Sequence, residues 1–136
     1  MNTIGIVGAL ATFLSVWFGH VAVRKIEYLS PTLWLPATVF AILGLFVEFL
    51  SLSTFNRPLS IAFGIFGLTL LFDALEFTRQ QRRVKKGHAP ANPNNPRHIK
   101  ILAEYPSTTT KDLLKRDPTG HTSSAKESNH PISTIL

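Results

Sequence analysis

Apolar and polar positions divide this chain into three long hydrophobic runs and a polar remainder. The first run, residues 4–23, carries no formal charge, and as a helix it would cover roughly 30 Å, the thickness of a bilayer core. The second extends over 33–54 and is broken only by Glu48; Pro36 falls in its first turn, where a missing N–H matters least. The third, 58–77, opens on Pro58 and is interrupted by Asp73 and Glu76. A soluble three-helix bundle shows a polar face on each helix. Phe40-Ala-Ile-Leu-Gly-Leu-Phe-Val47 is apolar all the way round, so these runs read as membrane helices. The expected fold is an all-α membrane protein, three transmembrane helices followed by a largely disordered C-terminal tail.

After the third run Arg79, Arg82, Arg83 and Lys86 fall at i, i+3, i+4 and i+7, so the helix should continue to about residue 86. Gly87 then suits a helix C-terminus. Pro90, Pro93 and Pro96 should keep the chain from resuming it. The three-span domain is therefore expected over 1–90. Residues 91–136, rich in Pro, Ser, Thr and Asn, are expected to be a disordered tail. Within it, 110–116 could form a short helix, and 97–105 could lie on a membrane surface or bind a partner. Ser107 to Thr110 could accept phosphate, as any Ser/Thr-rich tail could.

Charge gives these spans a direction. Of the 136 residues, 1–78 carry three basic and four acidic side chains, a net charge of −1. Residues 79–136 carry eleven basic and four acidic, a net of +7. Lysines and arginines favour the cytoplasmic side of a membrane. Placing Arg24, Lys25, Arg79, Arg82, Arg83, Lys85 and Lys86 inside leaves only Arg57 outside. The N-terminus is thus expected outside and the tail in the cytoplasm of a bacterial inner membrane, in a multi-pass arrangement. No basic n-region precedes the first run, which favours a retained span over a signal peptide. Trp17, Tyr28 and Trp34 would gather at the inner interface. Arg79, Arg82, Arg83, Lys85 and Lys86 are candidate contacts for anionic headgroups.

Candidate chemistry is sparse. With no cysteine, disulfides, thiolate metal sites and cysteine nucleophiles are excluded. Only His20 lies in a span, so one chain cannot supply two axial haem ligands, and the tail histidines are spaced too irregularly for a metal motif. No paired catalytic carboxylates, phosphate loop or nucleophile elbow occurs, so no enzyme activity, cofactor or metal is expected. The tail beyond Lys86 nets only +2, with Tyr105 as its sole aromatic, which argues against a nucleic-acid arm.

A charge at the bilayer centre costs about 2.5–3.5 kcal/mol, so His20, Glu48, Asp73 and Glu76 each need a reason. Depth groups His20, Asp73 and Glu76 at one end of the bundle, as a polar cluster with Arg24 or Lys25; Arg79 or Arg83 could neutralise Glu76. Glu48 is alone in the outer third of its span, with Arg57 as its nearest candidate partner. Small residues at Gly5, Gly8, Ala9, Ser15, Gly19, Ser60, Gly64 and Gly67 permit close helix approach. The expected role is a non-enzymatic structural or accessory component of the membrane or of a membrane complex. The alternative is a small oligomeric transporter or proton/ion conductor using the intramembrane carboxylates. Membrane lipids and either a homo-oligomer or a larger complex are the partners implied.

Two stretches carry a family resemblance. Gly8-Ala-Leu-Ala-Thr-Phe-Leu14, with His20 and Lys25-Ile-Glu-Tyr28, resembles the start of the small bacterial membrane proteins grouped as domain of unknown function 4491. Glu76, then Gln81-Arg-Arg-Val-Lys-Lys-Gly87 and Pro90-Ala-Asn-Pro93, resembles the end of that domain, so the similarity covers roughly 1–96. Where the pattern has proline after the histidine and an aromatic pair after the glycine, this chain has Val21 and His88-Ala89. The resemblance implies a three-helix membrane protein and no mechanism. It singles out His20, Lys25, Glu27, Tyr28, Glu76, Gly87 and Pro90.

Overall fold

A computed structural model describes residues 3–112. It is all-helical, with α1 at Thr3–Leu29, α2 at Trp34–Ser53, α3 at Arg57–Lys85 and α4 at Pro96–Glu104. The first three are each long and apolar enough to cross a membrane. Polar residues extend α1 and α3 beyond their apolar runs, while α2 stops one residue short of its run at each end. α3 is the central helix and packs against both α1 and α2. Phe13, Trp17, Phe46 and Phe49 turn outward, a display of apolar surface suited to lipid rather than water.

Local chemistry fixes the α2–α3 hairpin. Asn56 caps α3, its side-chain oxygen accepting from the Leu59 N–H at 3.2 Å, and Pro58 follows in the first turn. The Ser51 hydroxyl donates to the Ser60 carbonyl at 2.8 Å and the Ser60 hydroxyl returns the bond to Ser51 at 2.9 Å. Farther along, the two backbones approach closely through Gly44 and Gly67. A Cβ at Gly44 would stand 2.8 Å from Leu71 Cγ and 3.0 Å from the Gly67 carbonyl oxygen. Gly44→Val is therefore expected to separate the hairpin at a cost of about 1–3 kcal/mol. Thermal unfolding in detergent should show a lower Tm; an unchanged Tm would refute the tight contact. Of the small residues expected at interfaces, Gly5 meets nothing within 4 Å, and Gly44 was not among them.

The C-termini of α1 and α3 and the N-terminus of α2 share one end of the bundle, and the largest departure from expectation is there. α3 ends as Gly87 predicts. At φ 73° Gly87 places its N–H on the Val84 carbonyl (3.0 Å) and the His88 N–H on the Arg83 carbonyl (2.9 Å), a Schellman closure. The chain beyond, expected to be disordered from residue 91, is folded within the described residues and carries α4. Pro96 does not prevent a helix. It occupies the first turn of α4 behind Asn95, whose side chain accepts from the Arg97 N–H at 3.0 Å. Ile101 packs with Val84, Ala89 and Ala91 in a small core bordered by Leu102 and Tyr105. Segments 88–95 and 105–112 are tied by the Ala91 N–H to the Thr109 carbonyl at 2.8 Å. The helix expected at 110–116 begins as a bend at Thr110 and Lys111, and its remainder falls outside the described residues.

Candidate functional site

α1 ends without a basic residue in its last turn, leaving carbonyls that need donors. The segment after α3 supplies them. The Asn92 and Asn95 side-chain amides each donate to the Tyr28 carbonyl at 3.1 Å, and Asn95 also reaches the Ser30 carbonyl at 2.9 Å. Arg97 Nη2 donates to the Glu27 carbonyl at 2.6 Å and its Nη1 to Glu27 Oε1 at 3.0 Å. A cation thus meets the negative end of the α1 dipole and a carboxylate at once.

Glu27, 1% exposed, is the centre of this junction. Its Oε1 takes Arg97 and also lies 3.1 Å from Nε2 of His98, which is fully buried. The other imidazole nitrogen settles the tautomer. His98 Nδ1 accepts the Asn92 backbone N–H at 2.8 Å, so Nε2 carries the proton and donates to Glu27. The Tyr28 ring stands edge-on to His98, centroids 6.2 Å apart. Glu27⁻, Arg97⁺ and neutral His98 therefore form a charge-balanced lock between α1 and α4.

Beside the lock opens a cleft of about 590 Å³, with His20, Arg24, Lys25, Gln80, Pro90 and Thr110 among its walls. A second hollow of about 340 Å³ lies along the apolar part of α1, against Ser15, Trp17 and Phe66.

The other singled-out residues are distributed as follows. Asp73 is buried against Gly19, within electrostatic reach of His20 and Glu76. Glu76 pairs with Arg79 at 3.3 Å, while Arg83 Nη2 approaches Oε1 at 2.9 Å out of line for a hydrogen bond. That oxygen is held by charge rather than by a donor. Both arginines, and neither Arg24 nor Lys25, are the partners of Glu76. Glu48 does not meet Arg57; its side chain lies across Gly67 at the α2–α3 contact. Among the basic residues at the end of α3, Lys85 turns to the folded segment, its Nζ 3.2 Å from the Tyr105 hydroxyl and 4.7 Å from the ring centre. The Lys85 carbonyl accepts from Ser107 and Thr108, so these hydroxyls serve the fold.

Arg97 and His98 were not among the candidate site residues; they were expected only within the tail stretch 97–105 that could lie on a membrane surface or bind a partner. A signal was present: His98, Ile101, Leu102 and Tyr105 recur at i, i+3, i+4 and i+7 behind an Asn-Pro start.

The family description Domain of unknown function (DUF4491) matches residues 2–95. The chain belongs to this family. The DUF4491 match takes in all three long helices and also Glu27, Asn92 and Asn95; Arg97 and His98 follow immediately after it. No curated protein and no solved structure matches the chain.

Proposed function

We propose that this DUF4491 protein is a non-enzymatic accessory component of the bacterial inner membrane, with the α4 end in the cytoplasm. The observation that carries the reading is where its ionisable groups are engaged. Glu27, Arg97 and His98 satisfy one another in holding α4 to α1, and Glu76 is matched by Arg79 and Arg83. Groups so engaged serve architecture, fixing a folded cap on three membrane helices. Arg24, Lys25 and the basic end of α3 share the α4 end, and the preference of such residues for the cytoplasm supports the orientation. Anionic headgroups and a homo-oligomer or larger membrane complex are its partners in this reading.

Since the chain has no cysteine, Asn56→Cys and Lys100→Cys give clean labelling sites at opposite ends of the bundle. In intact cells an impermeant maleimide should label position 56 and leave position 100 unmodified. The reverse pattern would overturn the orientation.

A transport reading draws support from Asp73, held near His20 and Glu76, and from Glu48 at a helix contact. In proteoliposomes of the purified protein, the accessory reading expects no proton or cation flux at any pH. Flux abolished by Glu48→Gln would replace it with the transport reading.

A further inference from the structure

The lock leaves part of the polar end unused. Glu27 contributes to the wall of the 590 Å³ cleft, but its charge is already balanced by Arg97. Arg24 and Lys25, exposed on α1 one turn before the lock, form no ion pair among the described residues. Opposite them is Gln80, only 4% exposed. Its Oε1 accepts from Arg83 Nη1 at 3.2 Å, which fixes the amide so that the NH₂ group is the end left for the cleft. No hydrogen bond occupies that group among the described residues. Thr110 adds a hydroxyl and Asp112 the one further carboxylate of the wall. Two cations, a buried amide donor and a hydroxyl therefore line one hollow formed by α1, α3 and the folded segment after α3.

We propose that this cleft is a binding site for a phosphate-bearing anion. The Arg24 guanidinium offers the forked donor pair that matches phosphate oxygens, and Lys25 adds a mobile point charge. Gln80 makes the site more than a charged surface. Its side chain is more than nine-tenths buried, and its NH₂ group can donate to an anion without displacing a partner among the described residues. In the membrane placement proposed above, His20, on the side of the cleft nearer the apolar part of α1, would set the site close to the lipid headgroups. The phosphate is that of an anionic lipid or of a soluble phosphate ester. The lipid source rests on the membrane placement proposed above; the phosphate chemistry does not.

The test uses the full chain purified in detergent, with phosphatidylglycerol, phosphatidylcholine of the same acyl chains, and inorganic phosphate as probes, and native mass spectrometry and calorimetry as readouts. Phosphatidylglycerol or inorganic phosphate should bind in preference to phosphatidylcholine. Arg24→Gln with Lys25→Gln should weaken that binding about tenfold or more, from about 1 kcal/mol per basic residue. Gln80→Leu should weaken it several-fold. Arg57→Gln with Lys100→Gln removes equal charge at positions outside the cleft and outside the basic end of α3, and should change binding less than about twofold. Binding of phosphatidylglycerol without inorganic phosphate identifies the lipid source; binding of inorganic phosphate that competes with the lipid identifies the soluble one. Equal losses in the two double variants would reduce the effect to diffuse charge and overturn the site. So would wild-type binding by the Arg24/Lys25 variant, or no preference of the wild type over phosphatidylcholine.

Discussion

Arg97→Ala is expected to release the folded segment 88–112 from the bundle while leaving the three long helices assembled. The Arg97 guanidinium reaches both the side chain and the backbone carbonyl of Glu27, at 3.0 and 2.6 Å, and stands 3.4 Å from the Ser30 carbonyl through two of its nitrogens. Its removal leaves a carboxylate that is 1% exposed facing only the neutral His98. Breaking a buried pair by deleting one partner costs about 3–5 kcal/mol. Docking of a segment this small cannot absorb such a loss. Hydrogen exchange should show the amides of α4 and the Ala91 N–H losing protection, with the mid-α3 amides unchanged. Added salt should reproduce little of this in the wild type, because a buried pair is weakly screened. Arg97→Lys should be intermediate, since one ammonium cannot span the carboxylate and the carbonyls together. Glu27→Leu with Arg97→Met should recover part of the loss, as replacing both partners by apolar groups removes the unpaired charge. Full protection in Arg97→Ala would refute the lock.

That junction also separates what was legible in the sequence from what was not. The three spans were legible because each apolar run decides its own fate: about twenty predominantly apolar residues form a helix in lipid whatever follows them. The end of α3 was equally local, since Gly87 closes the helix through bonds to Val84 and Arg83. The cap is different in kind. Its bonds join residues 64 to 71 positions apart, from Asn92 to Tyr28 and from His98 to Glu27. Composition registers Asn92, Asn95 and Pro96 as features of disorder, because polar donors look idle until the carbonyls they satisfy are known. Those carbonyls belong to an α1 terminus that lacks its own glycine or basic cap. The complement of Asn92, Asn95 and Arg97 is therefore a deficiency in another helix, which no local pattern displays. Glu48 illustrates the same limit. Its depth is readable from the sequence, but its placement across Gly67 depends on the register of α2 against α3.

Gly87→Ala is expected to be the second most damaging substitution, and for two separable reasons. The residue has φ 73°, a region that L side chains enter at a cost of roughly 1–2 kcal/mol. A Cβ there would also collide with the Ser107 carbonyl oxygen, which belongs to the backbone and cannot rotate away. Overpacking of this kind typically adds about 1–3 kcal/mol. The two effects meet at one place because the chain returns over the end of α3, where Ser107 and Thr108 bond the Lys85 carbonyl at 2.8 and 3.3 Å. Gly87→Asn separates them: asparagine tolerates the left-handed conformation but still carries a Cβ. If the collision dominates, Asn and Ala should lower the Tm by similar amounts and both should expose segment 105–109 to exchange. If conformation dominates, Asn should recover most of the loss and that segment should stay protected. Wild-type stability in both variants would mean that residues 105–109 do not rest on Gly87. A loss confined to this segment, with the Glu27–Arg97 contact still protecting α4, would show that the cap is fastened to α1 and to α3 by two independent attachments.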